Sequence, residues 1–219
     1  MAVSGVVLAG GYSSRMGRDK MLLKIENEPL LARTVKELRS VADEIIVASN
    51  HTSRYNLDGV REVADIFPEM GPMGGLHAGL LAAKYDAAFV TAGDMPYFTG
   101  RLAEYLVSRQ AGHDVVVPRI GGQWEPLCAV YSRACIGPIE YCLRAGIRKV
   151  FRFYPLVRVL AVDENELAAA GLPADIFFNL NTPADLLSLS VRKDRPAKGG
   201  WPAPNPGCRQ EHSSTTCGR

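Results

Sequence analysis

A mostly parallel α/β sheet covered by helices on both faces is the fold this sequence predicts, on three observations. Short apolar runs alternate with stretches of helical periodicity over the first 118 residues. Several of these runs stop abruptly at glycine-containing segments. Beyond Pro118 the alternation gives way to a glycine turn and another apolar run, which predicts an antiparallel excursion.

Ser4 to Ala9 (SGVVLA) lacks polar alternation, as expected of a strand buried on both faces. Asn27 and Pro29 read as a helix start, by asparagine capping and proline in the first turn, and LLARTVKELRSV carries the helix onward. Glu44 to Ala48 and Val60 to Ala64 read as the next two strands. Gly71 to Gly75 (GPMGG) reads as a loop leading into an apolar helix from Leu76 to Lys84. Ala87 to Ala92 is another buried strand, stopped by Gly93-Asp94-Met95-Pro96, and a helix at Arg101 to Arg109 and a strand at Asp114 to Pro118 follow. Strands joined by helices pair in parallel.

Gly121-Gly122 then suits a turn before Trp124 to Tyr131. Arg133 to Ala145 reads as a helix, Arg148 to Tyr154 as a basic and aromatic stretch, and Val157 to Val162 as a late strand. Asp163 to Glu166 has the form of a capping box, and Thr182 to Asp185 caps a last helix ending near Leu189. From Ser190 onward prolines 196, 202, 204 and 206 stand among glycines and polar residues without periodicity. Such composition cannot bury a core, so one domain at 1–189 and a mobile tail at 190–219 are expected.

A hydrophobic content of 47% with 22% charged residues places the chain among ordinary globular proteins. The net charge of +2 is unevenly spread: the tail holds six Lys/Arg against two acids, a surplus of four, which leaves the body at −2 by difference. A slightly acidic body lacks the basic stripe that nucleic-acid binding needs. No apolar run approaches the roughly 20 residues of a membrane span, and no basic region precedes the first strand, so a cytoplasmic protein is expected. The five cysteines form no CxxC pair, and Cys128, Cys135 and Cys142 are expected to be buried thiols.

The most informative stretch is LAGGYSSRMGRDK, Leu8 to Lys20, directly after the first strand. Loops at the carboxyl ends of parallel strands are where ligands bind. Gly10 and Gly11 allow a sharp turn and close approach to an anion, successive N–H groups can cradle phosphate oxygens, and Arg15 and Lys20 balance their charge. The spacing is neither that of a Walker A loop nor that of the GxGxxG dinucleotide fingerprint. Asp94, at the end of another strand, is placed to hold a hard divalent cation that completes its shell with phosphate oxygens and water. Asp65, after the third strand, shares that edge and can accept hydrogen bonds from ribose or base. In NLNTP, Asn179 and Asn181 fall on one side if the segment is a strand end; a helix cap at Asn181 or Thr182 explains the motif equally well. His51, His77, His113 and His212 have no metal-ligand spacing and read as surface or loop residues, and Ser13 and Ser14 have no neighbouring base.

Taken in order, LAGG-x3-RMG-x2-K, GPMGG, GDMP and NLNTP resemble the molybdenum cofactor guanylyltransferases, and the resemblance covers nearly all of Val6 to Leu189. It implies a Rossmann-like three-layer nucleotidyltransferase domain. It also implies transfer of GMP from Mg-GTP to the terminal phosphate of molybdopterin carrying molybdenum, with release of pyrophosphate. Leu8, Ala9 and Gly10 match the family's first nucleotide-binding stretch, Lys20 its triphosphate lysine, Asp65 a nucleotide contact, and Asp94 the magnesium ligand. Asn179 and Asn181 match an asparagine pair on the acceptor side. The pattern departs where some relatives carry an asparagine after the second strand: the aligned residue is Ala48, with Asn50 two positions on. The implied partners are GTP, molybdopterin, and acceptor molybdoenzymes or their chaperones, with neither nucleic acid nor membrane. A cytidylyltransferase, a sugar-phosphate nucleotidyltransferase, and a nucleotide-binding protein without turnover stand as alternatives, and pyrophosphate release separates the last from the enzymes.

Overall fold

The structure is a computed structural model that describes residues 1–10, 19–50, 54–182 and 184–185. Gly11, Ser13, Ser14 and Arg15 of the glycine loop, His51 and His212, the end of the last helix and the 190–219 tail lie outside the described residues.

Strand β1 (Val3–Leu8) is buried along its whole length at the middle of the sheet. It pairs in parallel with β4 (Glu44–Ala48) on one side and with β6 (Ala87–Ala92) on the other, and β5 (Val60–Val63) extends the β4 side in parallel. The excursion after Pro118 is antiparallel: β7 (Val115–Ile120) turns through Gly121 and Gly122, both at positive φ, into the short β8 (Gln123–Trp124). β9 (Cys128–Ser132) then runs antiparallel between β6 and β7, and β10 (Val159–Asp163) joins β7 in parallel. The order across the sheet is β10-β7-β9-β6-β1-β4-β5.

Alternation along the strands divides the core into two layers. On one face Val7, Phe89 and Val130 pack with Leu31, Val35 and Leu38 of α1 (Leu30–Leu38), with Leu102 and Leu106 of α3 (Gly100–Ser108), and with Leu167 of α5 (Glu164–Ala169). On the other, Val6, Ile46 and Val90 pack with Leu76 and Leu80 of α2 (Pro72–Ala82) and Ile139 of α4 (Ile136–Arg144). Helix, sheet and helix make the three layers the apolar runs require. Cys128, Cys135 and Cys142 are buried free thiols.

Several boundaries differ from expectation for physical reasons. GPMGG is not a loop but the entry and first turn of α2: Gly71 takes φ 62° and ψ −148°, and Pro72 occupies the first helical position. Its glycines, with Gly79, serve packing; a Cβ on Gly79 would overlap Val6 Cγ1 of β1. Asn27 caps no helix. With Glu26 it takes positive φ in the turn of a small hairpin, β2 (Lys24–Ile25) and β3 (Glu28–Pro29), and α1 begins without a side-chain cap. The Arg148–Tyr154 stretch runs into a 3₁₀ segment, Val150–Leu156, with Phe153 and Tyr154 packed inward against Tyr131 and Trp124. The Asp163 capping box is present in full, and the Thr182 hydroxyl and Asp185 carboxylate cap each other's N–H groups.

A candidate nucleotide and metal site at the carboxyl edge

The carboxyl ends of β1, β4, β5 and β6 bring four sequence-derived elements to one edge. Ladder bonds run one residue past the strands: Ala9 N–H donates to Ala48 O (2.8 Å) and Gly93 N–H to Leu8 O (3.0 Å). They hold the roots of the glycine loop and of the Asp94 turn side by side. Ala48 itself is buried in the sheet, whereas Asn50 is exposed, with Oδ1 3.8 Å from where a Cβ on Gly10 would stand. Of the two positions, Asn50 is the one that presents an amide beside the glycine loop.

Asp65 is half-buried against the first turn of α2. A Cβ on Gly74 would lie 3.1 Å from its Oδ2, and one on Gly75 3.6 Å from its Oδ1 and 3.3 Å from Leu8 Cδ2. Those glycines let Leu8, Asp65 and the helix start converge. Burial raises the Asp65 carboxyl above its ordinary pKa, and His77 opposes the rise.

Lys20 opens a 3₁₀ turn capped by Asp19, whose Oδ1 accepts from Met21 N–H at 3.0 Å. Its Nζ lies 3.7 Å from Asp94 Oδ2 and donates to Asn181 Oδ1 at 3.1 Å. The chain at Leu180 is tied to the same turn, its N–H donating to Asp94 O at 2.9 Å. Asp94 is raised by burial first, and the Lys20 charge pulls it back. The asparagine pair separates: no strand forms over 179–181, and the Asn179 amide donates to Phe177 O at 3.2 Å while Asn181 meets Lys20.

Sequence reasoning missed three residues that frame the glycine loop. The Tyr55 hydroxyl is 3.4 Å from Ala9 O and 3.3 Å from Asp19 Oδ2, bridging the two ends of the segment between them. Arg54 pairs with the same Asp19 oxygen at 2.8 Å. Only the place of Asp19 directly before Lys20 signalled any of this. His77, expected at a surface or loop, is 1% exposed, its Nε2 3.0 Å from Glu140 Oε1 and its ring edge-on to Phe67.

As a metal site, this edge offers the Asp94 carboxylate beside Lys20, and no group of three or more ligands occurs among the described residues. Magnesium is commonly held by one or two carboxylates, with phosphate oxygens and water completing its octahedron. Asp94, half-buried beside the Lys20 ammonium, fits that demand.

A three-layer domain with a glycine loop, a lysine and a carboxylate gathered at the carboxyl edge is of the nucleotidyltransferase class. Residues 5–159 match the family model described as the MobA-like NTP transferase domain, and the chain belongs to that family. It is 41% identical over 199 residues to the probable molybdenum cofactor guanylyltransferase of Pelotomaculum thermopropionicum, covering 91% of this chain and 97% of that one. It is 33% identical over 187 residues to the molybdenum cofactor guanylyltransferase of Desulfosudis oleivorans, covering 84% and 93%. The crystal structure of molybdopterin-guanine dinucleotide biosynthesis protein A from Archaeoglobus fulgidus superposes with a TM-score of 0.72 at 25% identity, over 84% of this chain and 95% of that one. The 2-C-methyl-D-erythritol 4-phosphate cytidylyltransferase of Thermus thermophilus shares the fold, with a TM-score of 0.65 at 18% identity over 87% and 98%.

Proposed function

We propose that this protein transfers the GMP unit of Mg-GTP to the terminal phosphate of molybdenum-bearing molybdopterin, forming the guanine dinucleotide cofactor and releasing pyrophosphate. The observation that carries the reading is the convergence of Lys20, Asp94 and Asn181 beside the Leu8–Gly10 root of the glycine loop. The names of the relatives over nearly the whole chain support the choice of nucleotide and acceptor.

In this reading Leu8, Ala9, Gly10 and Gly11 seat the triphosphate, Asp65 contacts the nucleoside, and Arg15 joins Lys20 on the phosphates. An acceptor phosphate oxygen forms a bond to the α-phosphorus as the bond to the bridging oxygen of pyrophosphate breaks. The Lys20 ammonium stabilises charge gathering on the leaving pyrophosphate, which is where positioned cations contribute most. Asp94 would hold magnesium, which supplies charge neutralisation between the anions. Asn181, held by Lys20, and Asn179 face the acceptor. No step requires a covalent intermediate on the protein. The domain is taken as 1–189. Acceptor molybdoenzymes or their chaperones are the proposed downstream partners and the cytoplasm the proposed compartment, in keeping with the absence, among the described residues, of a helix long and apolar enough to cross a membrane.

The phosphate-binding parts cannot choose a base, because phosphates are common to all nucleotides. Guanine presents a donor and an acceptor whose loss in a buried site costs about 1–3 kcal/mol each. GTP is therefore expected over CTP and ATP by roughly a hundredfold or more. A screen of the four nucleoside triphosphates with molybdopterin, scored by pyrophosphate release, tests both statements. Preference for CTP would reject the guanine assignment alone, and release with none of the four would reject the reaction.

A further inference from the structure

Glu125 stands at the same edge of the sheet as Asp94, and neither the fold nor the chemistry above uses its carboxyl group. Its backbone is fixed: its N–H donates to Pro118 O of β7 at 2.9 Å, and its carbonyl accepts from Cys128 N–H at 3.1 Å. The neighbouring Leu127 carbonyl accepts from Ala92 N–H at 2.8 Å, two residues before Asp94. With Cys128 opposite Thr91 and Trp124 opposite Arg119, Glu125 is placed between the carboxyl ends of β6 and β7.

Its carboxyl is partly buried and makes no hydrogen bond or ion pair among the described residues. It lies near enough to Cys128 to add to the rise that burial imposes on that thiol. Cys128 shares its buried cluster with Met21 and Met95, the residues after Lys20 and Asp94. Glu125 therefore stands beside the buried cluster that holds the chain neighbours of Lys20 and Asp94. Burial pushes the Glu125 carboxyl up to about 7, and no cation among the described residues holds it down. A polar group taken from water without a partner costs free energy that a ligand bringing donors recovers.

The sheet order decides which ligand that is. Leu8 to Gly10, Asn50 and Asp65 lie on the β1, β4 and β5 side of Asp94, and Glu125 lies on the β9 and β7 side. A nucleotide held by the first group leaves the second to the acceptor. We propose that Glu125 recognises the heterocycle of the acceptor, its two carboxylate oxygens accepting from the ring N–H and the amino group of a 2-amino-4-oxopyrimidine edge. The proposal rests on molybdopterin being the acceptor. Guanine carries the same pair of donors, and it is the position across Asp94 that assigns the contact to the pterin.

Glu125→Gln keeps the shape but replaces one acceptor oxygen with a donor. The variant is expected to raise KM for molybdopterin about tenfold or more with a smaller change in kcat, while GTP affinity, titrated without acceptor, is unchanged. Free 6-hydroxymethylpterin, followed by its fluorescence, should bind the wild-type protein more tightly than the matching lumazine, in which an oxo group replaces the amino group, and Glu125→Gln should lose that preference. Unchanged acceptor KM, or equal binding of pterin and lumazine by the wild-type protein, overturns the proposal; loss of GTP affinity instead overturns it by moving the contact to guanine. Should Glu125→Gln fail to fold, as judged by circular dichroism, the wild-type comparison of pterin with lumazine still decides. A wild-type protein that prefers pterin yet releases no pyrophosphate from GTP and molybdopterin would reject the proposed reaction and keep the heterocycle contact.

Discussion

The two halves of the sheet are built differently. In the main sheet every pairing from β1 to β5 is parallel and the packed helices α1 and α2 cover its faces, so backbone and glycines shape the edge. From β9 to β10 antiparallel and parallel pairings mix, 3₁₀ turns flank the helix α4, and individual polar side chains hold the parts. The first half can present N–H groups to phosphates that every nucleotide shares. The second half can present side chains to something more particular. A phosphate loop is reusable; an acceptor site must be specific.

The largest expected effect lies where the halves meet. If Asp94 holds the metal, Asp94→Ala should lower pyrophosphate release by at least about a hundredfold, the scale of losing a major charge-stabilising group. The folded state should be kept, because the carboxylate spans a turn rather than filling core, and its Lys20 partner is partly exposed. Near-normal turnover by a well-folded variant would remove Asp94 from the site and break the division of labour drawn here.

A smaller effect is expected in the second half, where β10 depends on a side-chain clamp. Asp114 accepts from Arg158 N–H (2.9 Å), Nε (3.0 Å) and Nη2 (2.9 Å), and these bonds lower its pKa to about 2. A carboxyl depressed on folding stabilises the protein above its ordinary pKa of 3.8, and the contribution is lost as pH falls through about 2. Asp114→Asn should lower the melting temperature by about 2–4 °C at neutral pH, a modest figure because Arg158 is mostly exposed. The gap between the proteins should narrow as pH falls toward 2. A gap that stays constant would show that packing, not charge, holds β10.

The same contrast explains what could be read in the sequence. Glu44–Ala48 and Ala87–Ala92 coincide with strands to the residue, because runs buried on both faces have sharp ends. The gathering of Leu8, Asp65 and Asp94 at one edge follows from the alternation alone. GPMGG misled because glycine marks turns by its backbone freedom and also permits close helix–strand packing, and only the second applies within α2. The sequence leaves Asn179 and Asn181 open between a strand end and a helix cap, because their amides take partners set by the fold, Phe177 O and Lys20. Tyr55, His77 and Glu125 act through tertiary placement, which no local spacing announces.

The smallest effect concerns the 190–219 segment, whose sequence belongs to neither half. Its prolines, glycines and polar residues offer no periodic apolar face, and its surplus of four positive charges contrasts with a body at −2. Truncation after Leu189 should leave the melting temperature and pyrophosphate release nearly unchanged, since little apolar area is removed. If the truncated protein aggregates or loses most of its activity with GTP and molybdopterin, part of the segment docks on the body and the domain limit of 189 is wrong. If transfer of the product to an acceptor molybdoenzyme slows while release of pyrophosphate does not, the segment recruits that partner. A salt dependence confined to the full-length chain would then assign the recruitment to its positive charge.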